Sequence, residues 1–391
     1  MRKNWLLLLS LCLIWLPGCQ INQPLPVVTL PCGLDAVVLN EASNFRSDTA
    51  IAIDSNNKAH VVYRLSETDS DDYHSLAYAT NASGGWRQKK EWQLSTFATY
   101  SAIAVDSRDK VHICTTGDGT GENVTYLTNK TGYWIETVVD SNYSVGLESD
   151  IALDQNDNVY LSYWQWNGDN LRFATNALGS WRSEEVDGDQ AMWLNTSIML
   201  DSRGAVNIVY AKARQILLAS NATGSWVKEI VPLDLDPIQT DNGLAAIMDE
   251  QDNLYVLSPT GLAIRRDGQW SQDDFLTAVV PDAHSSLTHL DEDSIAVDQQ
   301  GFLHICFLIA YPLTGPFKLY YASNLLGDWR AKEIDNWRGS TFGYDNGLSP
   351  GSLATDHNGK VHLVYVRNQP NQDKLLEVRY CTFNPFELLS E

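Results

Sequence analysis

Positive charge, long apolar runs and helical periodicity are what this sequence has little of. Lys and Arg number 27 against 49 Asp and Glu, for a formal net charge of −22 over 391 residues. So acidic a chain repels phosphate backbones, which argues against nucleic acid as a partner. Beyond the first twenty or so positions no stretch approaches about eighteen consecutive apolar residues, so no membrane-spanning helix is expected there. No window repeats its apolar residues at about 3.6 positions, and almost no helix is expected. Cysteine is sparse, with 6 in the chain.

The first residues have a definite order. Arg2 and Lys3 precede an apolar run from Trp5 to Leu16, interrupted only by Ser10, and Leu16-Pro17-Gly18-Cys19 follows. The run is too short to span a bilayer stably and reads as the core of a signal peptide. A small residue followed by Cys resembles the lipobox of bacterial lipoproteins, although Pro17 departs from the usual Ala or Ser. The resemblance implies cleavage after residue 18, acylation of Cys19 and an anchor of two or more chains, at about 0.8 kcal/mol per buried CH₂. Gln20 after the cysteine implies, again by resemblance, the outer membrane of a two-membrane envelope. The expected membrane contact is this lipid alone. Export also makes disulfides permissible.

Internal repetition is the strongest signal. A short apolar strand ending in Asp, a polar turn and a second strand recur as IAIDSNNKAHVVY (51–63), IAVDSRDKVHICT (103–115), IALDQNDNVYLSY (151–163) and IMLDSRGAVNIVY (198–210). The pattern returns as AIMDEQDNLYVLS (246–258), IAVDQQGFLHICF (295–307) and LATDHNGKVHLVY (353–365). The marker aspartates Asp54, Asp106, Asp154, Asp201, Asp249, Asp298 and Asp356 are 52, 48, 47, 48, 49 and 58 residues apart. A third strand of type Leu-x-Tyr-Ala-Thr-Asn follows, then an Asn/Gly turn and a fourth strand opened by Trp86, Trp134, Trp181, Trp226, Trp270 or Trp329. Four short antiparallel strands per repeat, seven times over, specify an all-β, seven-bladed β-propeller.

Six such tryptophans for seven repeats leave one blade incomplete. The seventh copy ends after its third strand, while Leu34–Leu39 precedes Asp54 by the spacing that separates Trp134 from Asp154. The N-terminal segment is therefore expected to complete the last blade and close the ring. The domain reading is a leader at 1–18, a lipidated tether at 19–33 and one propeller at 34–391. Cys32 before the closing strand and Cys381 in the strand beside it are expected to form a disulfide. Cys114 and Cys306 fall on non-adjacent blades and are expected to be buried thiols.

His60, His112, His304 and His362 align with Tyr160, Asn207 and Tyr255, so this position reads as a structural hydrogen-bonding slot. The Asp-x-x-x-x turn around Asp154 partly matches a calcium loop but lacks its glycine and distant Glu, and reads as a turn stabiliser. Function is expected where the repeat breaks. Outside the leader and the repeat, the remaining tryptophans are Trp92, Trp164, Trp166, Trp193 and Trp337, all mapping to the face opposite the Asp turns, here called the top. Tyr344, Arg64 and His74 join them as candidate ligand-binding residues. Exposed rings of this kind stack on sugars or serve as protein hot spots. Acidic loop residues Asp69, Asp71, Asp72, Asp291, Glu292 and Asp293 read as solvated loops and no cofactor is expected, Ca²⁺ being the one ion such a carboxylate cluster could hold.

The blade pattern resembles the sialidase-like superfamily, often described as BNR-repeat-like, over nearly all of the mature chain. The Asp box Ser-x-Asp-x-Gly-x-Thr-Trp of that group is absent, and neither its arginine triad nor its Tyr–Glu pair can be placed, so no catalytic residue carries over. Fold alone does not assign function, and two readings remain: a binding propeller for a glycan or protein, expected to be a monomer and favoured because no catalytic constellation can be named, or a glycan-cleaving lyase or glycoside hydrolase.

Overall fold

In the computed structural model the described residues run from 25 to 390. Outside them lie segments 44–48, 67–73, 93–96, 119–122, 142–144, 166–169, 189–195, 213–214, 235–242, 274, 280–286, 291–292, 311–315, 338–350 and 370–371. Seven antiparallel sheets are arranged in a ring. From the axis outward, blade one consists of Thr49–Ile53, Ala59–Ser66, His74–Thr80 and Arg87–Trp92. Blade two is Phe97–Val105, Val111–Asp118, Val124–Thr128 and Ile135–Asp140; blade three is Val145–Leu153, Val159–Gln165, Asn170–Thr175 and Arg182–Asp187. Blade four is Ser197–Leu200, Val206–Lys212, Gln215–Ser220 and Val227–Asp234; blade five is Ala245–Met248, Leu254–Ser258, Gly261–Arg266 and Gln269–Asp273. Blade six has Ile295–Val297 inside, supplemented by Leu287–His289, then Leu303–Ala310, Phe317–Ser323 and Arg330–Trp337. Two short helices, Phe275–Val279 and Pro385–Ser390, are the only ones among the described residues.

Blade seven closes the ring as the spacing requires. Ser352–Thr355, Val361–Gln369 and Gln372–Phe383 come from the C-terminal end, and Asp35–Ser43 from the N-terminal end supplies the outer strand. A further strand, Val27–Thr29, covers that outer strand, so the sheet extends into the segment expected to be tether. The expected Cys32–Cys381 disulfide is absent: both cysteines are free thiols. The register explains it. Ala36, not Cys32, faces Cys381 across the sheet, and Cys32 lies in the turn between Val27–Thr29 and the closing strand. Both thiols still belong to the core between blades six and seven. Cys114 and Cys306 are buried thiols, as expected.

The repeat's polar residues build the turns. Asp54 Oδ1 accepts the amides of Asn56 and Lys58 at 2.9 and 2.8 Å, and the same pair of bonds recurs at the other six marker aspartates. The third residue after each marker is left-handed: Asn57, Asp109, Asp157 and Asp252, or Gly204, Gly301 and Gly359. Asn and Asp tolerate this region less well than glycine, and here their side chains are put to use. Asp109 accepts from Ser55 of blade one, Asp157 from Ser107 of blade two and Asp252 from Ser202 of blade four. The Asn of the third-to-fourth turn accepts the first amide of the second strand, as Asn81 does from Ala59 at 2.9 Å.

The apolar core consists of clusters between neighbouring blades. Four of the six fourth-strand tryptophans lean edge-on against a third-strand aromatic of the preceding blade, three of them Trp134 on Tyr78 at 5.2 Å, Trp181 on Tyr126 at 5.2 Å and Trp226 on Phe173 at 5.5 Å. Trp86 meets Tyr380 across the closure at 4.5 Å. Blade seven lacks the tryptophan, and Phe383 takes its place against Tyr321 at 5.0 Å. Such pairs add about 0.5–1.5 kcal/mol beyond area burial.

Candidate functional site

The repeated histidines are consumed by the bottom of the ring. In blade two His112 Nδ1 lies 2.6 Å from Tyr126 Oη, and Nε2 lies 3.2 Å from the marker carboxylate of Asp106. His60–Tyr78–Asp54, His304–Tyr321–Asp298 and His362–Tyr380–Asp356 repeat the arrangement. Burial pulls the pKa of His60, His112 and His362 below the ordinary histidine value, against the opposing pull of their aspartates. Tyr160 and Tyr255 reach the same carboxylates directly, at 3.1 and 3.0 Å. The slot is structural. In the Asp154 turn, Oδ2 also accepts from the Asn158 amide and Tyr160 hydroxyl, so both oxygens are engaged in holding the turn.

A second set of clasps joins blades toward the top. The last tyrosine of the second-strand motif donates to an aspartate closing the outer strand of the preceding blade: Tyr163 to Asp140 at 2.8 Å, Tyr210 to Asp187 at 2.7 Å and Tyr365 to Asp335 at 2.8 Å. Cations complete each one. Arg172 approaches Asp140, Lys212 and Lys228 share Asp187, and Arg367 and Arg379 share the fully buried Asp335. Burial pulls the Asp187 pKa upward, but Lys228, Tyr210 and Lys212 outweigh it and hold the carboxyl below its ordinary value. The sequence carried a signal for these clasps, since Asp140–Tyr163 and Asp187–Tyr210 share a 23-residue spacing. In blade one the backbone register puts Trp92 opposite Leu76, where Asp187 faces Leu171 and Asp335 faces Leu319. The partner blade has Thr115 in place of the tyrosine, bonded instead to Ser101.

Two of the candidate ligand-binding tryptophans are buried. Trp164 is 2% exposed and packs edge-on against Tyr210; Trp337 is 4% exposed and stacks on Phe317 and Tyr365, with Arg367 5.6 Å from its ring centroid. Neither offers a free ring face, because each sits where one blade packs on the next. Trp92 ends an outer strand and His74 begins a third strand, paired in register with Ser66. Arg64 is partly buried on the second strand of blade one, opposite Leu76. Trp166, Trp193, Tyr344 and Cys19 lie outside the described residues, as do Asp69, Asp71, Asp72, Asp291 and Glu292. Among the described residues no three His, Cys, Asp or Glu side chains converge as a metal site.

One titratable group that sequence reasoning missed is Asp150, on the inner strand of blade three. It stands four residues before the marker, where the other blades have Ala50, Ala102, Ser197, Ala245, Ser294 and Ser352. Its Oδ2 accepts the amide of Ile198, on the inner strand of blade four, at 2.7 Å, and Oδ1 accepts the Ile151 amide. Enclosure between the two strands outweighs these bonds and pushes its pKa up to about 7. Two residues earlier, Glu148 is buried at a β-bulge with φ of 52°. A non-glycine residue in that region is a local cost. The spacing alone could have exposed Asp150, as the one acid in a column of Ala and Ser.

No family model matches the chain, and no curated protein matches it in sequence. Solved structures match over most of its length. A protein of unknown function from Dyadobacter fermentans covers 89% of this chain and 98% of its own at 10% identity, with a TM-score of 0.51. The six-bladed fucose-recognising lectin of Aleuria aurantia covers 77% and 98% at 12% identity with a TM-score of 0.46. The α-L-arabinofuranosidase Arb93A of Fusarium graminearum covers 90% and 99% at 7% identity with a TM-score of 0.45. At these identities the likeness is one of fold.

Proposed function

We propose that this chain is a binding propeller, lipid-anchored through Cys19 in the cell envelope, that recognises a glycan or protein on its top face. One observation carries the reading. The repeated polar side chains are spent on the bottom turns and on the seams between blades, each with a defined partner. The unrepeated aromatics Trp92, Trp166, Trp193 and Tyr344, with Arg64 and His74, belong instead to strand ends and connections assigned to the opposite face. Trp164 and Trp337 leave the ligand set and become supports for it, since both are buried. A glycan array followed by titration of Trp166→Ala and Trp193→Ala tests the assignment. Saturable glycan binding that both variants weaken is the expected result; binding unchanged in both removes these residues from the site.

A glycan-cleaving activity is the second reading. A polysaccharide-degradation screen of the wild type decides: product from any polymer supports catalysis, and none leaves the binding reading.

A further inference from the structure

The turns at the bottom of the ring can be compared blade by blade, because each follows the same marker aspartate. Four residues after the marker, blades seven, one and two have Lys360, Lys58 and Lys110, where blades three to six have Asn158, Ala205, Asn253 and Phe302. Blade two adds Arg108 in its marker turn and Lys130 in the turn between its third and fourth strands. Arg108, Lys130 and Lys360 are exposed, and Lys58 and Lys110 partly so. Unlike the cations of the seams, Lys58, Arg108, Lys110 and Lys360 close no ion pair among the described residues. Beyond the markers, the one acid in the bottom turns of these three blades is Asp109, bonded to Ser55, with Asp35 and Glu387 at the outer corner of blade seven. Blades five and six bear the opposite sign: Glu250, Asp252, Asp267 and Asp328 are exposed in their bottom turns, against Arg266. Apolar side chains mark the cationic arc as well. Tyr133, in the blade-two turn with Lys130, is 81% exposed and Leu178, in the matching turn of blade three, 70%, the two highest values among the described large apolar residues. Phe386, 56% exposed, follows the bottom end of the blade-seven strand Gln372–Phe383.

We propose that this arc on the bottom of blades seven, one and two docks on the anionic phospholipid headgroups of the membrane that holds the Cys19 anchor, so that membrane contact extends beyond the lipid itself. The inference rests on the reading of Cys19 as the anchor. Six residues lead from Cys19 to Leu25, a reach of at most about 20 Å. Leu25 packs between blades seven and one, and Val27 and Thr29 pair with Val37 and Asp35 at the bottom end of the closing strand. The tether therefore keeps the bottom corner of blade seven near the headgroups, and the arc begins at that corner. The rest of the disc is strongly acidic and is repelled by anionic lipid, whereas each surface Lys or Arg is attracted to it. The two forces together turn the arc toward the membrane and blades five and six away. Tyr133 suits the headgroup level, where an amphipathic ring is at once apolar and wet. Phe386 and Leu178 supply apolar contact at the two ends of the arc. This orientation leaves the top face open to its ligand.

Amine acetylation read by mass spectrometry tests this on the full acylated chain, purified from bacterial membranes and reconstituted in vesicles of phosphatidylcholine alone or mixed with phosphatidylglycerol. Lys58, Lys110 and Lys360 should react roughly fivefold more slowly on the anionic vesicles, and high salt should abolish the difference. Lys228, on the rim of blade four, should react equally on both. Lys58→Glu combined with Lys360→Glu should remove the protection read at Lys110. The turns are held through the backbone at these positions, whose side chains differ from blade to blade, so folding is not at stake. Arg203→Glu, in the marker turn of blade four, should leave the protection intact. Intact mass and flotation separate the two readings. A chain without acyl mass at Cys19 that fails to float with phosphatidylcholine vesicles overturns the anchor, and the docking with it. An acylated chain that floats, but whose three lysines react alike on both vesicles, overturns the docking alone. So does protection that survives high salt or the double substitution.

Discussion

Replacing Asp150 with Ser should stabilise the propeller at neutral pH and leave it no more stable in acid. The reasoning starts from blade four, where Ser197 occupies the matching position and its Oγ accepts the Ala246 amide of blade five at 3.1 Å. A serine at 150 can therefore keep the bond to Ile198 without bringing a charge into the seam. The Asp150 pKa is raised from 3.8 to about 7, so the native state binds this proton more tightly than the unfolded chain does. Its stabilising effect is complete below the unfolded value and is lost as pH rises through about 7. A displacement of that size is worth roughly 4 kcal/mol at most. Relaxation of the seam and water penetration around the ionised carboxyl reduce the expected penalty to about 2 kcal/mol. Urea unfolding of wild type and variant from acid to mildly alkaline pH measures the difference, in which the other titrating groups cancel. The variant's advantage should grow through the interval between the two pKa values and then level off. A difference independent of pH would refute the assignment of the raised pKa to Asp150.

Other perturbations follow from the seams. Asp335→Ala should cost about 3–5 kcal/mol in denaturant melts, because it leaves Arg367 and Arg379 without the buried carboxylate they share. Trp86→Ala should lower stability by about 2–3 kcal/mol by opening the contact with Tyr380 where the ring closes, and limited proteolysis should cut the N-terminal strand first. At Asp109, with φ of 59°, Ala should be worse than Gly by about 1 kcal/mol. Both substitutions lose the Ser55 bonds, but only glycine relieves the backbone, and thermal melts of the two should rank in that order.

The fold was legible because each blade states its own register. A marker Asp, a left-handed turn residue and an Asn that caps the second strand act through local bonds between residues at most about twenty apart; the first two repeat seven times in the sequence and the third five times. The histidine slot was legible for the same reason, its alternatives being Tyr and Asn. The clasps were less so, since each joins the end of one blade to the middle of the next. Trp164 shows how a column of the repeat can mislead or inform: ten residues after their own markers the other blades have Arg64, Thr116, Ala211, Pro259, Leu308 and Val366, four of them buried. Reading that column would have placed Trp164 in the core. Trp337 offered no such column, because its burial depends on Phe317, Tyr365 and Arg367 meeting around it.

By itself, then, the sequence determined the number of blades, the closure of the ring by the chain's two ends and the structural role of the repeated Asp and His. These rest on spacing and on short-range hydrogen bonds, which a linear chain records directly. The tertiary structure alone decided that Ala36 rather than Cys32 faces Cys381, that two of the unrepeated tryptophans are packing residues, and that Asp150 is enclosed between blades. Each depends on the register or distance between segments far apart in sequence, and burial and pKa follow from that meeting.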